Sequence, residues 1–196
     1  MNQDQPKQTH KLLTLFKHFF SIIIPTLLGV FIGLAGSNYQ KQKELMTYQE
    51  KILVAILEEH RNNSIEIKHQ LTLHNLLIDS LSKYNSATNV KVIDIIQTLK
   101  GFKTPTIRSI FWKSLVSVNL LTIELARFEL LSKIQSETDN YYYLEKKIAD
   151  KLYNSLYSSS KEDKAVLAIM ISDLVFFENS LLSYYQQYET LYLKYD

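Results

Sequence analysis

The longest apolar stretch of the chain lies near its beginning, at residues 19–39. It reads FFSIIIPTLLGVFIGLAGSNY and contains no charged residue. Folded as a helix, residues 19–36 would extend about 27 Å at ~1.5 Å per residue, close to the ~30 Å hydrocarbon core of a bilayer. The pattern predicts a transmembrane helix over residues 19–37. A cleaved signal peptide and a buried core helix are the alternatives, but signal peptides usually have a shorter apolar run.

The remaining chain, residues 38–196, has the spacing of amphipathic helices. Residues 38–83 contain no Pro or Gly, and their apolar positions recur in steps typical of one helical face. These positions are Met46, Leu53, Leu57, Ile67, Leu71, Ile78 and Leu81. We expect one long helix, either continuous with the membrane segment or hinged near Asn38, that packs against later helices. A parallel coiled coil is the alternative.

Polar breaks divide the second half of the chain into shorter helices. The pattern predicts helices over residues 90–99, 107–135, 141–157 and 161–195. Gly101 fits the end of the first of these, and Thr104 followed by Pro105 fits the start of the next. Ser160 with Asp163 resembles a capping box before the last helix. The predicted fold class is therefore all-α, with an N-terminal transmembrane helix followed by a bundle of about four or five helices.

Composition and charge agree with a globular helical domain. Charged residues make up 21% and hydrophobic residues 46% of the chain, and the net charge of +2 is too small to indicate nucleic-acid binding. The chain has no Cys, which excludes disulfides and thiolate metal sites. Residues 1–18 form a basic leader, with Lys7, Lys11 and Lys17 against Asp4. By the positive-inside rule we expect a cytoplasmic N-terminus and a periplasmic C-terminal domain.

Three residues are candidates for contacts between helices. Gly29 and Gly33 form a G-x-x-x-G, which lets a second membrane helix approach closely. The alternative is that glycines are simply common in membrane helices. Trp112, the only tryptophan, is a candidate interface or core anchor. His60 and His74 lie on the predicted apolar stripe, where hydrogen-bonded core histidines are more usual than metal ligands or pH sensors.

No pattern in the chain indicates an enzyme. Glu66 and His69 have the Glu-x-x-His spacing of carboxylate-bridged metal sites in four-helix bundles, but such sites need a second copy, which the sequence lacks. We therefore expect no catalytic residue, no metal and no cofactor. Ten of the 13 tyrosines lie from Tyr141 onward. They are expected to cover helix flanks, and an aromatic partner-binding surface is the alternative.

Two segments resemble a family of uncharacterised single-pass bacterial inner-membrane proteins. Members have a membrane helix ending in a Gly-x-x-Ile-Ala-Leu-x-x-x-Asn-Trp pattern. The run from Gly29 to Tyr39, GVFIGLAGSNY, is similar, with Gly33 in place of Ala and Tyr39 in place of Trp. The run FWKSL, which contains Trp112, resembles the family's Ala-Trp-x-x-Leu segment. The resemblance implies an N-terminal anchor and a helical extracytoplasmic domain, and it implies no activity.

These observations predict a membrane-anchored helical scaffold or interaction module, acting as a subunit or accessory of an envelope complex in the bacterial inner membrane. Its expected partners are the lipid bilayer and either another protein or a second copy of the chain, with no nucleic acid. The alternative is an extracytoplasmic ligand-sensing bundle that signals through a partner protein.

Overall fold

The computed structural model describes residues 7–117 and 123–195, and the described part of the chain is helical without strands. Its five helices are α1 (Lys7–Lys83), α2 (Val92–Thr98), α3 (Ile110–Ser117), α4 (Leu125–Ser155) and α5 (Lys161–Tyr195). The predicted all-α class is confirmed. The chain divides into two compact units, Met1–Tyr48 and Gln49–Asp196.

The first unit contains the predicted leader and membrane segment. Residues 1–6 of the leader lie outside the described residues, and for residues 7–20 only the helical backbone is described. Pro25 lies inside α1 without ending it. Side chains from Ile24 to Tyr48 are exposed. Met46, which we expected on the packed stripe, is 56% exposed.

The second unit is built around α5. Its buried positions recur every three or four residues along the whole helix, as a helix packed on two neighbours requires. They are Lys164, Leu167, Ile171, Leu174, Glu178, Leu181, Tyr185, Tyr188 and Tyr192. Because seven of these nine side chains are apolar or aromatic, this face forms the centre of the hydrophobic core.

α5 runs antiparallel to both of its long neighbours. The start of α5 meets the end of α4 where Lys151 Nζ lies 2.6 Å from Asp163 Oδ1. The end of α5 meets α1 where Tyr188 donates a hydrogen bond to Leu53 O at 3.4 Å. α1 and α4 therefore run parallel, and α2, the 101–109 segment and α3 make the connection between them.

Among the described residues, Lys161–Lys194 of α5 is the one helix long and apolar enough to cross a membrane by length and composition. A core helix of a soluble protein meets the same criterion. The buried face of α5 is such a core face, since it packs on α1 and α4.

Two predicted helix boundaries are wrong. The helix expected over residues 107–135 begins only at Ile110 and ends at Ser117, and α4 begins at Leu125. The break expected at residues 136–140 is absent, because α4 continues to Ser155. Thr138 is buried there and donates to Ile134 O at 2.8 Å, so these polar residues continue the helix.

The predicted cap at Thr104 and Pro105 is also wrong, because residues 101–109 are not helical. Pro105 disfavours a helical conformation at Thr104. The prediction for Gly101 is confirmed: it has φ +99° and donates to Ile96 O at 3.0 Å, closing the end of α2. The cap of α5 is confirmed as well, since Asp163 N–H donates to Ser160 Oγ at 3.1 Å.

Candidate functional site

The inner face of α1 carries several buried polar side chains in addition to its apolar ones. Glu59, His60, Asn63 and His74 are each at most 6% exposed. Burial of such groups is unfavourable unless they find partners. Most of the partners lie far away in the sequence, on the 101–109 segment, on α3 and on α5.

Asn63 binds the backbone of the 101–109 segment at two points. Its Nδ2 donates to Arg108 O at 2.8 Å, and Arg108 N–H donates to its Oδ1 at 3.0 Å. Nδ2 also lies 3.4 Å from the Tyr185 hydroxyl of α5. A primary amide presents a donor and an acceptor side by side, so Asn63 satisfies both backbone polar groups of Arg108, which lies outside any helix.

Glu59 caps the start of α3. Ile110 N–H, at the first position of that helix, donates to Glu59 Oε2 at 3.0 Å. Burial raises the pKa of the Glu59 carboxyl, while hydrogen bonds from Ile110 and Phe111 and the charge of Arg108 oppose the shift. A carboxylate at this end of a helix also interacts favourably with the helix dipole.

His74 connects the 101–109 segment to α5. Its Nε2 lies 2.8 Å from Lys103 O, and its Nδ1 lies 3.0 Å and 3.1 Å from the two Glu178 oxygens. Both side chains are almost fully buried, with 2% and 0% of their surface exposed. A carbonyl only accepts, so Nε2 carries a proton, and a further proton must lie between Nδ1 and the carboxyl for that contact to be attractive.

Tyrosine and threonine side chains complete the attachment of the 101–109 segment to α4. The Tyr142 hydroxyl donates to Ile107 O, and the Thr104 hydroxyl donates to the Glu145 carboxylate. Tyr141, also on α4, is fully buried, and burial raises the pKa of its hydroxyl. The segment is therefore fixed by side chains from both parallel helices.

His60 is buried without such partners. Its ring stacks on Tyr185 at a centroid distance of 4.5 Å and meets the edge of Tyr188 at 5.0 Å. Burial lowers the pKa of His60 to about 3, so the ring is neutral at physiological pH. Its Nδ1 makes no hydrogen bond. A small cavity of ≈ 10 Å³ beside the ring has about the size of one water molecule.

An open groove, also lined by His60, runs between α1 and α5. It has a volume of ≈ 640 Å³, with Leu57, His60 and Tyr185 among the residues that line it. Arg61 of α1 bridges to Glu189 of α5, with Nη2 2.6 Å from Oε1. The groove therefore combines apolar side chains with charged groups from both helices.

Of the residues singled out in the sequence, His60 and Trp112 line the same small cavity. Trp112 lies on α3, is partly buried, and stacks on Phe128 of α4 at 5.9 Å. Around Gly29 and Gly33, nothing lies within 4 Å of where a Cβ would be. Within the described ranges, no group of three or more His, Asp or Glu side chains is placed to hold a metal ion. Reasoning from the sequence missed the burial of Glu178 and Lys164. Their seven-residue spacing from buried apolar positions could have predicted it.

Comparisons with protein-family profiles, with curated proteins and with solved structures found no match for this chain.

Proposed function

We propose that the protein is a membrane-anchored helical scaffold, a subunit or accessory of an envelope complex in the bacterial inner membrane, with its N-terminus in the cytoplasm and its bundle in the periplasm. The observation that carries the anchor is the exposure of apolar side chains on every side of α1 between residues 24 and 34. They are Ile24, Leu27, Leu28, Val30, Phe31, Ile32 and Leu34.

Successive helical residues point about 100° apart, so Val30, Phe31 and Ile32 lie on three different sides of α1. Phe31 is 71% exposed and Ile32 is 70% exposed. A helix that is apolar all round is covered either by protein or by lipid. Because no described side chain of the first unit covers these residues, we expect lipid to surround them.

The second unit supports the scaffold role. Its buried polar side chains are used to hold helices and the 101–109 segment together, as with Asn63 and Glu59. The small cavity beside His60 has room for about one water molecule. The larger space beside it is an open groove between two helices. This geometry favours a protein partner over the alternative, a small ligand sensed inside the bundle.

Membrane extraction tests the anchor. The full chain should stay with membranes through alkaline carbonate washing and dissolve only in detergent. Replacing Leu28 and Phe31 with Arg should release it, because each Arg at the centre of a membrane helix costs about 3 kcal/mol. The matched control, Arg at the exposed positions Tyr39 and Tyr48, should remain in the membrane. Recovery of the uncleaved wild-type chain in the soluble fraction would contradict the anchor.

Cysteine labelling tests the orientation. The chain contains no Cys, so a single cysteine introduced at the exposed Tyr153 is the only thiol present. A membrane-impermeant maleimide should label Tyr153→Cys in cells with a permeabilised outer membrane and an intact inner membrane. Labelling only after lysis of the inner membrane would place the bundle in the cytoplasm.

A further inference from the structure

The groove between α1 and α5 has the form of a helix-binding site. From Leu57 to Lys68, the α1 residues that line it extend about 16 Å, or three helical turns. A second open volume of ≈ 400 Å³ shares Ser183 and Gln186 with the first and continues along α5 to Lys194. Two helices packed side by side leave such a groove, and a further helix laid in it completes a four-helix arrangement.

The surface of this groove suits an amphipathic partner. Leu57 and Tyr185 are buried among its lining residues, and Ile65, also in the lining, is 66% exposed. An exposed isoleucine beside buried apolar side chains is a typical anchor point for the apolar face of a bound helix. Ser183 and Gln186 supply polar groups.

The charges along the groove select the class of partner. Two cations, Arg61 and Lys68, line the first volume against one carboxylate, Glu189. Glu189 is already engaged with Arg61 at 2.6 Å. The remaining charge, that of Lys68, is positive and attracts an acidic partner. A second copy of this chain is disfavoured there, because a two-fold contact would place the same cations against one another.

We propose that the α1–α5 groove binds an acidic amphipathic helix of another protein, with apolar side chains of that helix on Leu57 and Ile65 and its carboxylates facing Lys68. This inference rests on the proposed scaffold function and names the partner surface.

Site-specific photocrosslinking in cells of the source organism tests it. The full chain carries p-benzoylphenylalanine in place of Gln186, which is exposed in the groove, or in place of Tyr153, which is exposed on α4. We expect a protein adduct from Gln186 and at least about tenfold less from Tyr153. Mass spectrometry of the adduct should identify a peptide with helical apolar spacing and excess Asp and Glu.

Charge reversal provides the second readout. Lys68→Glu should reduce the Gln186 adduct about tenfold, because it places a carboxylate against an acidic helix. The matched control Lys133→Glu, exposed on α4, should leave the adduct unchanged. Circular dichroism checks that both variants keep the wild-type helix content.

Each remaining outcome overturns the groove proposal. Adducts only with lipid, only with a second copy of the chain, or with a basic peptide would do so, and so would an adduct that persists undiminished in Lys68→Glu. A protein adduct from Tyr153 but not from Gln186 would leave the scaffold function in place and remove the groove. Absence of a protein adduct from both positions would count against the scaffold function itself.

Discussion

His74 of α1 and Glu178 of α5 form a buried pair in which one ring nitrogen lies 3.0 Å and 3.1 Å from the two carboxyl oxygens. The other ring nitrogen lies 2.8 Å from Lys103 O. Three distant parts of the chain therefore meet at one imidazole. Because both side chains are almost fully buried, the contact depends on a proton between His74 and Glu178.

Substitution of Glu178 should reveal this requirement for a donor. A glutamine amide can donate to Nδ1 of a neutral His74, so Glu178→Gln should cost less than about 1 kcal/mol of unfolding free energy. Glu178→Leu has similar volume but no donor, and leaving Nδ1 buried without a partner should cost about 1–3 kcal/mol. Urea unfolding of the full chain in mild detergent, followed by circular dichroism, measures both. Equal losses for the two variants would contradict the account.

Lys164 offers a second test, because its side chain is fully buried at the start of α5. Its Nζ donates to Tyr84 O at 3.0 Å and to Ala87 O at 2.6 Å, which fixes the turn after α1. Lys164→Met keeps the length of the side chain but leaves both carbonyls unpaired. We expect a loss of about 2–4 kcal/mol.

Hydrogen exchange localises the effect of Lys164. In Lys164→Met, amides of residues 84–91 should exchange faster than in wild type, while those in the middle of α4 should change little. The matched control is Lys161→Met, at an exposed position of the same helix, which should alter neither stability nor exchange. An unchanged turn in Lys164→Met would show that the two hydrogen bonds do not hold it.

The helices of the second unit were largely predictable from the sequence, because their apolar positions repeat at helical spacing. Leu167, Leu174 and Leu181 recur every seven residues on one face of α5 and are fully buried. Lys164 and Glu178 continue the same face and are equally buried. Their burial was not predicted, because it depends on Tyr84, Ala87 and His74, which lie far away in the sequence.

The backbone conformation of residues 101–109 likewise depends on residues far away in the sequence. Thr104 and Pro105 match the local pattern of a helix start, yet residues 101–109 are not helical. Its backbone is bound instead by Asn63 of α1 and Tyr142 of α4. A local preference for helix decides the structure only where no tertiary partner binds the same backbone groups. Neighbouring residues in the sequence do not reveal such partners.

Asn63 should therefore control the order of the 101–109 segment. Asn63→Asp keeps the acceptor for Arg108 N–H but replaces the donor to Arg108 O with a carboxylate oxygen. We expect a loss of about 2–3 kcal/mol and faster proteolytic cleavage within residues 101–109. The matched control Asn62→Asp, exposed on the same helix, should be cleaved at the wild-type rate. Equal cleavage of both variants would contradict this role of Asn63.

His60 gives the bundle a dependence on acidity. Burial lowers the pKa of the ring to about 3 in the folded state, against 6.5 ordinarily. Below about pH 6.5 the unfolded chain takes up a proton at His60 and the folded chain does not. The stability that the neutral ring contributes is therefore complete above pH 6.5. It falls by about 1.4 kcal/mol per pH unit as the pH decreases towards 3.

His60→Phe should remove this part of the pH dependence while keeping a ring against Tyr185. Between pH 7.0 and pH 5.0, we expect the unfolding free energy of wild type to fall about 2 kcal/mol further than that of His60→Phe. Urea unfolding at the two pH values measures the difference, and carboxyl titrations common to both proteins cancel. The matched control is His69→Phe, since His69 is exposed on the same helix, and it should follow wild type. A His60→Phe variant that loses as much stability as wild type would show that the folded protein binds the proton at His60 after all.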